Sequence, residues 1–450
     1  MLTSKNCFVL AGLLLLSSLA YAEYTFALSE DLNLRLGGDI RARFEGFDRT
    51  VPFPDGRPDG KNYPPQQYLR VRTRAWMALD LADSMTLNLR LVNRIHKISS
   101  SPGNPNDAGG ATWEFPDELI VDNFNLVLKN FSEGFTLTLG RQSLGFGNGL
   151  ILSEGTPFDQ GRTVYMDGVS LRYKDESDCV TVFMFYDEWK DRTVFLNDQN
   201  RRLRVGDTFT AGTYWTHTFS PAWNLDLYYL FNDVDDKHPL IAERYHDADC
   251  STSLHTAGGR LFGKPLEDWE YSLEIAKQGG RNANGGRNEG LLIDARLKYY
   301  LTELLPWNPS LGCNYTHYSG DKRGSKHSEG WNSLLSQAPL WQEELIPIML
   351  NGNWTNLNIF RGDLTLNPLE NLKLVLASTA YYADEAPAVV GTHVRSGNGN
   401  YMGLLLSAYA SYKLNDNFNF VFQFSRFDPG DYYANGQHSN WGRFEVTMTF

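Results

Sequence analysis

The chain has 450 residues, a formal charge of −12 and a mean hydropathy of −0.38. A helical membrane protein would show positive mean hydropathy and several apolar runs of about 18 residues or more, and beyond the N-terminal segment this chain has none. Cys179, Cys250 and Cys313 are widely spaced and odd in number once Cys7 in the leader is set aside. They form neither a disulfide framework nor a zinc motif, so no cofactor is expected; nor is a nucleic-acid partner.

The chain begins like a secretory leader. Lys5 precedes an apolar stretch at 8–16, and the small residues Ala20 and Ala22 stand ahead of Glu23. Cleavage is expected after Ala22, making 1–22 a signal peptide. The apolar stretch is too short for a bilayer, which needs about 20 residues. Cys7 lies ahead of it, which does not suit a lipoprotein. Processing would move the net charge from −12 to −13.

From there on, segments greasy on one face and polar on the other recur. They lie at 32–47, 66–82, 85–97, 118–129, 134–142, 166–175, 178–188, 207–219, 223–232, 251–263, 269–278, 289–301, 309–319, 354–366, 371–383, 400–413, 417–427 and 439–450. Short links rich in turn residues, such as 83–84, 176–177, 221–222 and 415–416, alternate with long ones, such as 48–65, 98–117, 143–165, 189–206 and 320–353. This pattern predicts an all-β fold over 23–450, a transmembrane antiparallel β-barrel of about 18 strands, with short periplasmic turns and long external loops. The expected location is the outer membrane of a Gram-negative bacterium, with its lipid as a partner. A final strand ending in Phe444, Val446, Met448 and Phe450 resembles the signature that outer-membrane assembly machinery recognises.

Facing carries the functional reading. In 68–81 the apolar Leu69, Val71, Ala75, Met77, Leu79 and Leu81, broken by Thr73, alternate with Arg70, Arg72 and Arg74. With apolar partners toward lipid, the lumen receives Arg35, Arg41, Arg43, Arg70, Arg72, Arg74, Arg90 and Arg94 from the first three strands. Later strands add Arg172, Arg296, Lys298, Arg361 and Arg443. Inward acids Asp39, Glu45, Asp80, Glu270, Glu274, Asp294, Asp363 and Glu445 would pair with part of this set. Arg holds its charge at any relevant pH and offers a planar fork that fits carboxylate or phosphate. The arginines therefore suit a track for anions, while ion pairs that merely stiffen the wall are the plainer alternative. The outer face is expected to be aromatic, with Phe418, Phe420, Phe422 and Phe424 toward lipid and Trp441, Trp269, Tyr299, Tyr401, Tyr409 and Tyr412 at or near strand ends.

The stretch Leu137 through Gln142, with Gly140, Arg141 and Gln142 closing a strand, runs through a glycine-bearing loop to Asp167 and Gly168 at the head of the next strand. In this it resembles the alginate-export family of outer-membrane barrels, most clearly over 118–175. The resemblance implies 18 strands, an arginine-lined lumen, passage of anionic uronate polymer and possible delivery by a periplasmic complex. It also singles out Arg141 and Gln142. One departure is a turn of only Asn415, Asp416 and Asn417 where the exporter carries an extended periplasmic plug. The loop 320–353, with Trp331, Leu334, Leu335, Leu340, Trp341 and Leu345, is apolar enough either to fold over or into the mouth or to pack on neighbouring loops.

Gly145 to Gly149 lacks the Lys-Ser/Thr of a phosphate loop. Asp233, Asp235 and Asp236 lack EF-hand spacing. His96, His217 and His255 have no serine and acid spaced to meet them on adjacent strands, leaving a barrel-embedded hydrolase as a remote alternative. The leading readings are an anionic-polysaccharide channel and a porin for small anions or carboxylates. Replacing Arg70, Arg72 and Arg74 together by Gln is expected to leave the barrel folded, because lumen substitutions tune selectivity.

Overall fold

The computed structural model describes residues 23–48, 66–99, 113–114, 118–153, 166–188, 194–197, 206–235, 252–282, 285–301, 306–322, 324–336, 354–385, 398–434 and 436–450. The leader expected at 1–22 lies outside them. The described residues contain no helix. Their strands are β1 (Tyr24–Ser29), β2 (Leu32–Phe47), β3 (Gln66–Leu81), β4 (Met85–Ser99), β5 (Trp113–Glu114), β6 (Glu118–Lys129), β7 (Phe135–Gln142), β8 (Met166–Lys174), β9 (Asp178–Asp187), β10 (Val194–Asn197), β11 (Asp207–Ser220), β12 (Trp223–Asp235), β13 (Thr252–Leu266), β14 (Trp269–Asn282), β15 (Arg287–Tyr300), β16 (Ser310–Tyr318), β17 (Leu357–Leu369), β18 (Leu372–Tyr382), β19 (Tyr401–Lys413), β20 (Phe418–Pro429) and β21 (Ser439–Thr449).

All but β1, β5 and β10 form a closed antiparallel barrel of 18 strands, sealed where β2 pairs with β21. Closure follows from the solvent. Hydrocarbon offers no hydrogen bonds, so each spanning strand must satisfy its backbone on both sides. The short β1 was not expected. It pairs with Leu32–Leu36 of β2, on the stretch of that strand which β21 does not reach.

The burial pattern is that of a soluble protein turned inside out. Phe44, Val182, Met184, Leu227, Ile275, Phe360, Leu376, Phe422 and Phe444 are exposed on the outside, while Asp39, Arg43, Asp226, Asp294 and Arg443 are buried toward the lumen. Phe422 and Phe424 lie on the lipid side as expected. Trp441 does not: it is 1% exposed, in register with Phe47, and its ring lies 4.7 Å from the Arg443 guanidinium on the inner face.

The seam depends on two adjacent glycines. A Cβ on Gly37 would sit 2.6 Å from the Trp76 ring, and one on Gly38 would sit 2.8 Å from the Phe450 ring. Gly38 and Phe450 also exchange backbone hydrogen bonds of 2.7 and 2.9 Å. The terminal ring therefore closes the barrel by lying on a residue without a side chain. Gly38→Val is expected to overpack this seam by about 1–3 kcal/mol. A lower temperature for loss of heat-modifiable mobility on gels, partly recovered when Phe450→Ala is added, checks it.

Candidate functional site

Register converts the arginine alternation into a basic wall. Arg43 lies opposite Arg70, and Arg41, Arg72 and Arg94 form one row across β2, β3 and β4. Like charges directly opposite one another repel. Acids in the neighbouring rows offset this, since Asp39 lies opposite Arg74 and Glu45 opposite Arg443.

The wall has two layers. The buried layer is a lattice in which Arg43 Nε reaches Glu445 at 2.6 Å, Arg443 Nε reaches Glu45 at 2.7 Å and Arg72 reaches Asp39 at 3.3 Å. Arg43 and Glu45 side chains are each 1% exposed. Above it, Arg70 (25% exposed, 3.5 Å from Glu45), Arg74 (21%, 2.7 Å from Asp39) and Arg90 (22%, 2.7 Å from Asp122) reach the lumen water. Arg35 bridges Asp80 and Glu23 near the short-turn rim. Within this sector the arginines outnumber Asp39, Glu45, Asp80, Asp122 and Glu445, so the wall is net positive in a chain of net charge −12.

The remaining sequence-picked arginines do not join it. Arg172 is exposed beside Cys179 at the β8–β9 turn. Arg296 pairs with Asp294 on β15, and Arg361 lies near Asp363 and Thr379 on β17 and β18.

The motif residues have a different role. Gly140 and Gly168 face each other across β7 and β8. A Cβ on the first would sit 2.4 Å from the Phe124 carbonyl oxygen, and on the second 2.1 Å from that of Met184. Arg141 forks onto Asp167 at 2.8 and 2.7 Å and donates to the Val121 carbonyl at 2.8 Å; Gln142 accepts from Ser170 Oγ at 2.6 Å. Arg141 is in register with Phe124, half-exposed on the lipid side, so it braces the wall and does not extend the lumen row. The braced node is where the chain leaves the sheet.

From that node, 143–153 turns into the barrel. Phe146 stacks on Tyr214 at 4.4 Å and lies 5.6 Å from Phe183, and Tyr214 stacks in turn on Tyr228 at 5.4 Å. Asn148 donates to Ser272 and Asp294 at 3.1 and 3.2 Å and accepts from Arg260 at 3.1 Å. Gly147 and Gly149, at φ of 56° and 75°, allow the turns on either side. A second segment, 319–336, meets the first: Ser153 N donates to the Leu335 carbonyl, and Ser336 Oγ to that of Gly149. Trp331 and Leu335 of the loop 320–353 join this cluster; Leu340, Trp341 and Leu345 lie outside the described residues.

The loop is anchored on β11 to β15, whereas the arginine wall occupies β21 to β4. In the 18-strand order β2 and β13 are nine strands apart, on opposite sides of the lumen. The basic wall and the in-folded loop thus face each other across the lumen. Sequence alternation alone missed Arg260, Asp226, Tyr214 and Tyr228. All four sit at inward positions, but Phe183 and Phe185 make that sector apolar on both faces, which hides the inside.

The family model described as alginate export matches residues 33–447. The chain belongs to the alginate-export family. As a member it is an outer-membrane channel protein. No curated protein matches it. Solved structures share its fold at low identity. Pseudomonas aeruginosa OccK2 (OpdF) in complex with glucuronate has 11% identity and a TM-score of 0.56, over 92% of this chain and 98% of that one. Acinetobacter baumannii OccAB2 has 12% identity and a TM-score of 0.59, over 93% and 98%. Pseudomonas aeruginosa OccK7 (OpdD) has 10% and 0.58, over 94% and 99%.

The two layers of this family member's wall refine the expectation for the arginine triplet. Arg72 helps hold the buried Asp39, so it belongs to the scaffold. Arg70→Gln with Arg74→Gln leaves Glu45 with Arg43 and Arg443, and Asp39 with Arg72; this double variant should fold with near-native stability. Arg43→Gln takes a cation from both Glu45 and Glu445 and should cost about 3–5 kcal/mol. Urea unfolding of the refolded barrels, read by tryptophan fluorescence, distinguishes the two.

Proposed function

We propose that this channel passes anionic sugar acids of the uronate type, as chains or short oligomers, guided along Arg70, Arg74 and Arg90. The observation that carries the reading is the two-layer wall. Its buried ion pairs fix the guanidinium groups of the upper layer, and these face water across from the in-folded loop. A wall of that kind favours a carboxylate on each successive sugar, because a fixed positive row attracts anions with little reorganisation. The family assignment supports a uronate polymer as cargo, and the glucuronate bound by the distant OccK2 supports the chemical class. Export of a polymer would also call for a periplasmic delivery complex.

One observation favours the second reading, a porin for small carboxylates. Segment 143–153 is pinned to the wall by Asn148 and Phe146 and joined to 319–336, and this narrows the path. Current block in a planar bilayer separates the readings. Oligouronate added to one side should block the channel at concentrations at least about tenfold below those at which monomeric glucuronate does, and Arg70→Gln with Arg74→Gln should remove that advantage. Equal block by monomer and oligomer would favour the porin. Absence of block by either would overturn both.

A further inference from the structure

On the outer surface, far from the arginine wall, β13, β14 and β15 form a recess of about 390 Å³ lined by Ser253, His255, Gly279, Arg281, Arg287 and Glu289. Arg281 and Arg287 are the last register pair of the β14–β15 hairpin, next to one of the long-loop connections. Both are exposed and on the lipid side, since the alternate residues Gln278 and Gly290 are buried inward. Directly opposed side chains have Cβ atoms about 4.5–5.5 Å apart, where like charges repel. Inside the lumen, rows of this kind are offset by Asp39, Glu45 and Glu445. Here no carboxylate lies within ion-pair distance of either arginine among the described residues, although Glu289 lines the same recess. Its floor is Gly279, where a Cβ would meet no atom within 4 Å.

The depth of the recess is marked by aromatic rings. Tyr229 Oη and His255 Nδ1 lie 2.6 Å apart, and the Phe231 ring is 4.9 Å from that of His255. Exposed rings of this kind near the strand ends form the interfacial girdle of a membrane barrel, at headgroup depth. Lys277, exposed on the same face of β14, adds a third cation. In outer-membrane barrels the longer loops are extracellular, which sets this recess against lipid of the outer leaflet.

We propose that this recess binds a phosphate-bearing lipid headgroup of the outer leaflet, with Arg281 and Arg287 forking onto the phosphate and His255, Ser253 and Lys277 flanking it. Two arginines whose repulsion no described carboxylate relieves gain a dianionic partner, and a floor without a side chain admits it. The inference rests on the barrel's place in the outer membrane and not on its cargo.

Native mass spectrometry of the purified barrel in detergent tests it, with diphosphorylated lipid A, the same glycolipid without its phosphates, and inorganic phosphate as probes. The wild-type protein should retain the phosphorylated glycolipid in preference to the dephosphorylated one. Arg281→Gln with Arg287→Gln should weaken retention about 30-fold, and Arg281→Lys with Arg287→Lys should keep most of it. Heat-modifiable mobility and unchanged conductance of the Gln variant would show that it folds and that the lumen is intact. Equal retention by wild type and the Gln variant would overturn the proposal. So would full displacement of the lipid by millimolar inorganic phosphate, which would make the site one for the free ion.

Discussion

A chain segment in hydrocarbon has no water to hydrogen-bond its backbone, and everything else in this molecule follows from that constraint. It demands a closed sheet, and closure demands that the first and last spanning strands meet. Here they meet through backbone bonds between Gly38 and Phe450, with the Phe450 ring covering one glycine from outside and Trp76 covering its neighbour from inside. Once the sheet is closed, the two-residue period assigns every side chain to lipid or to lumen. An arginine on β2 or β3 can then only point into water or into a carboxylate.

The lumen is not uniform. Across the lumen from the arginine wall, the carboxylates Asp226 and Asp294 bind Arg260, Arg296 and Asn148, and the aromatic stack from Phe183 to Tyr228 holds Phe146. That side is occupied by chain, whereas on the basic side Arg70, Arg74 and Arg90 stay partly exposed. An acidic protein thereby presents a basic wall. Its loops carry many of its acids, Asp384 and Glu385 among them, whereas the arginines gather on a few adjacent strands.

The barrel was legible because period-two alternation is written locally. The starts of β2, β3, β4 and β6 coincide with their sequence-read segments, and β21 with its own, since most apolar residues there alternate onto the lipid face, with Trp76 on β3 and Trp441 on β21 turned inward. Alternation is blind to which polar inward residue is held and which is accessible. Arg43 and Arg70 look alike in sequence, yet the first is sealed among Glu45, Glu445 and its neighbours while the second meets water. Trp441 was misplaced because an aromatic residue near a strand end suits the girdle and the lumen equally well. The family motif was visible as a string, but its job became clear only through register. Gly140 and Gly168 permit close backbone approach, Arg141 grips Asp167, and the loop departs inward from that brace.

Charge selectivity is the property that depends most directly on the wall. The reversal potential of the purified wild-type channel in a tenfold KCl gradient reads it without a solute and without a partner protein. A potential of the sign set by chloride permeation, shrinking toward zero as salt is raised and the wall is screened, is the result predicted here. A potential set by potassium would contradict it, because the arginines would then be fully neutralised struts and the path would lie elsewhere.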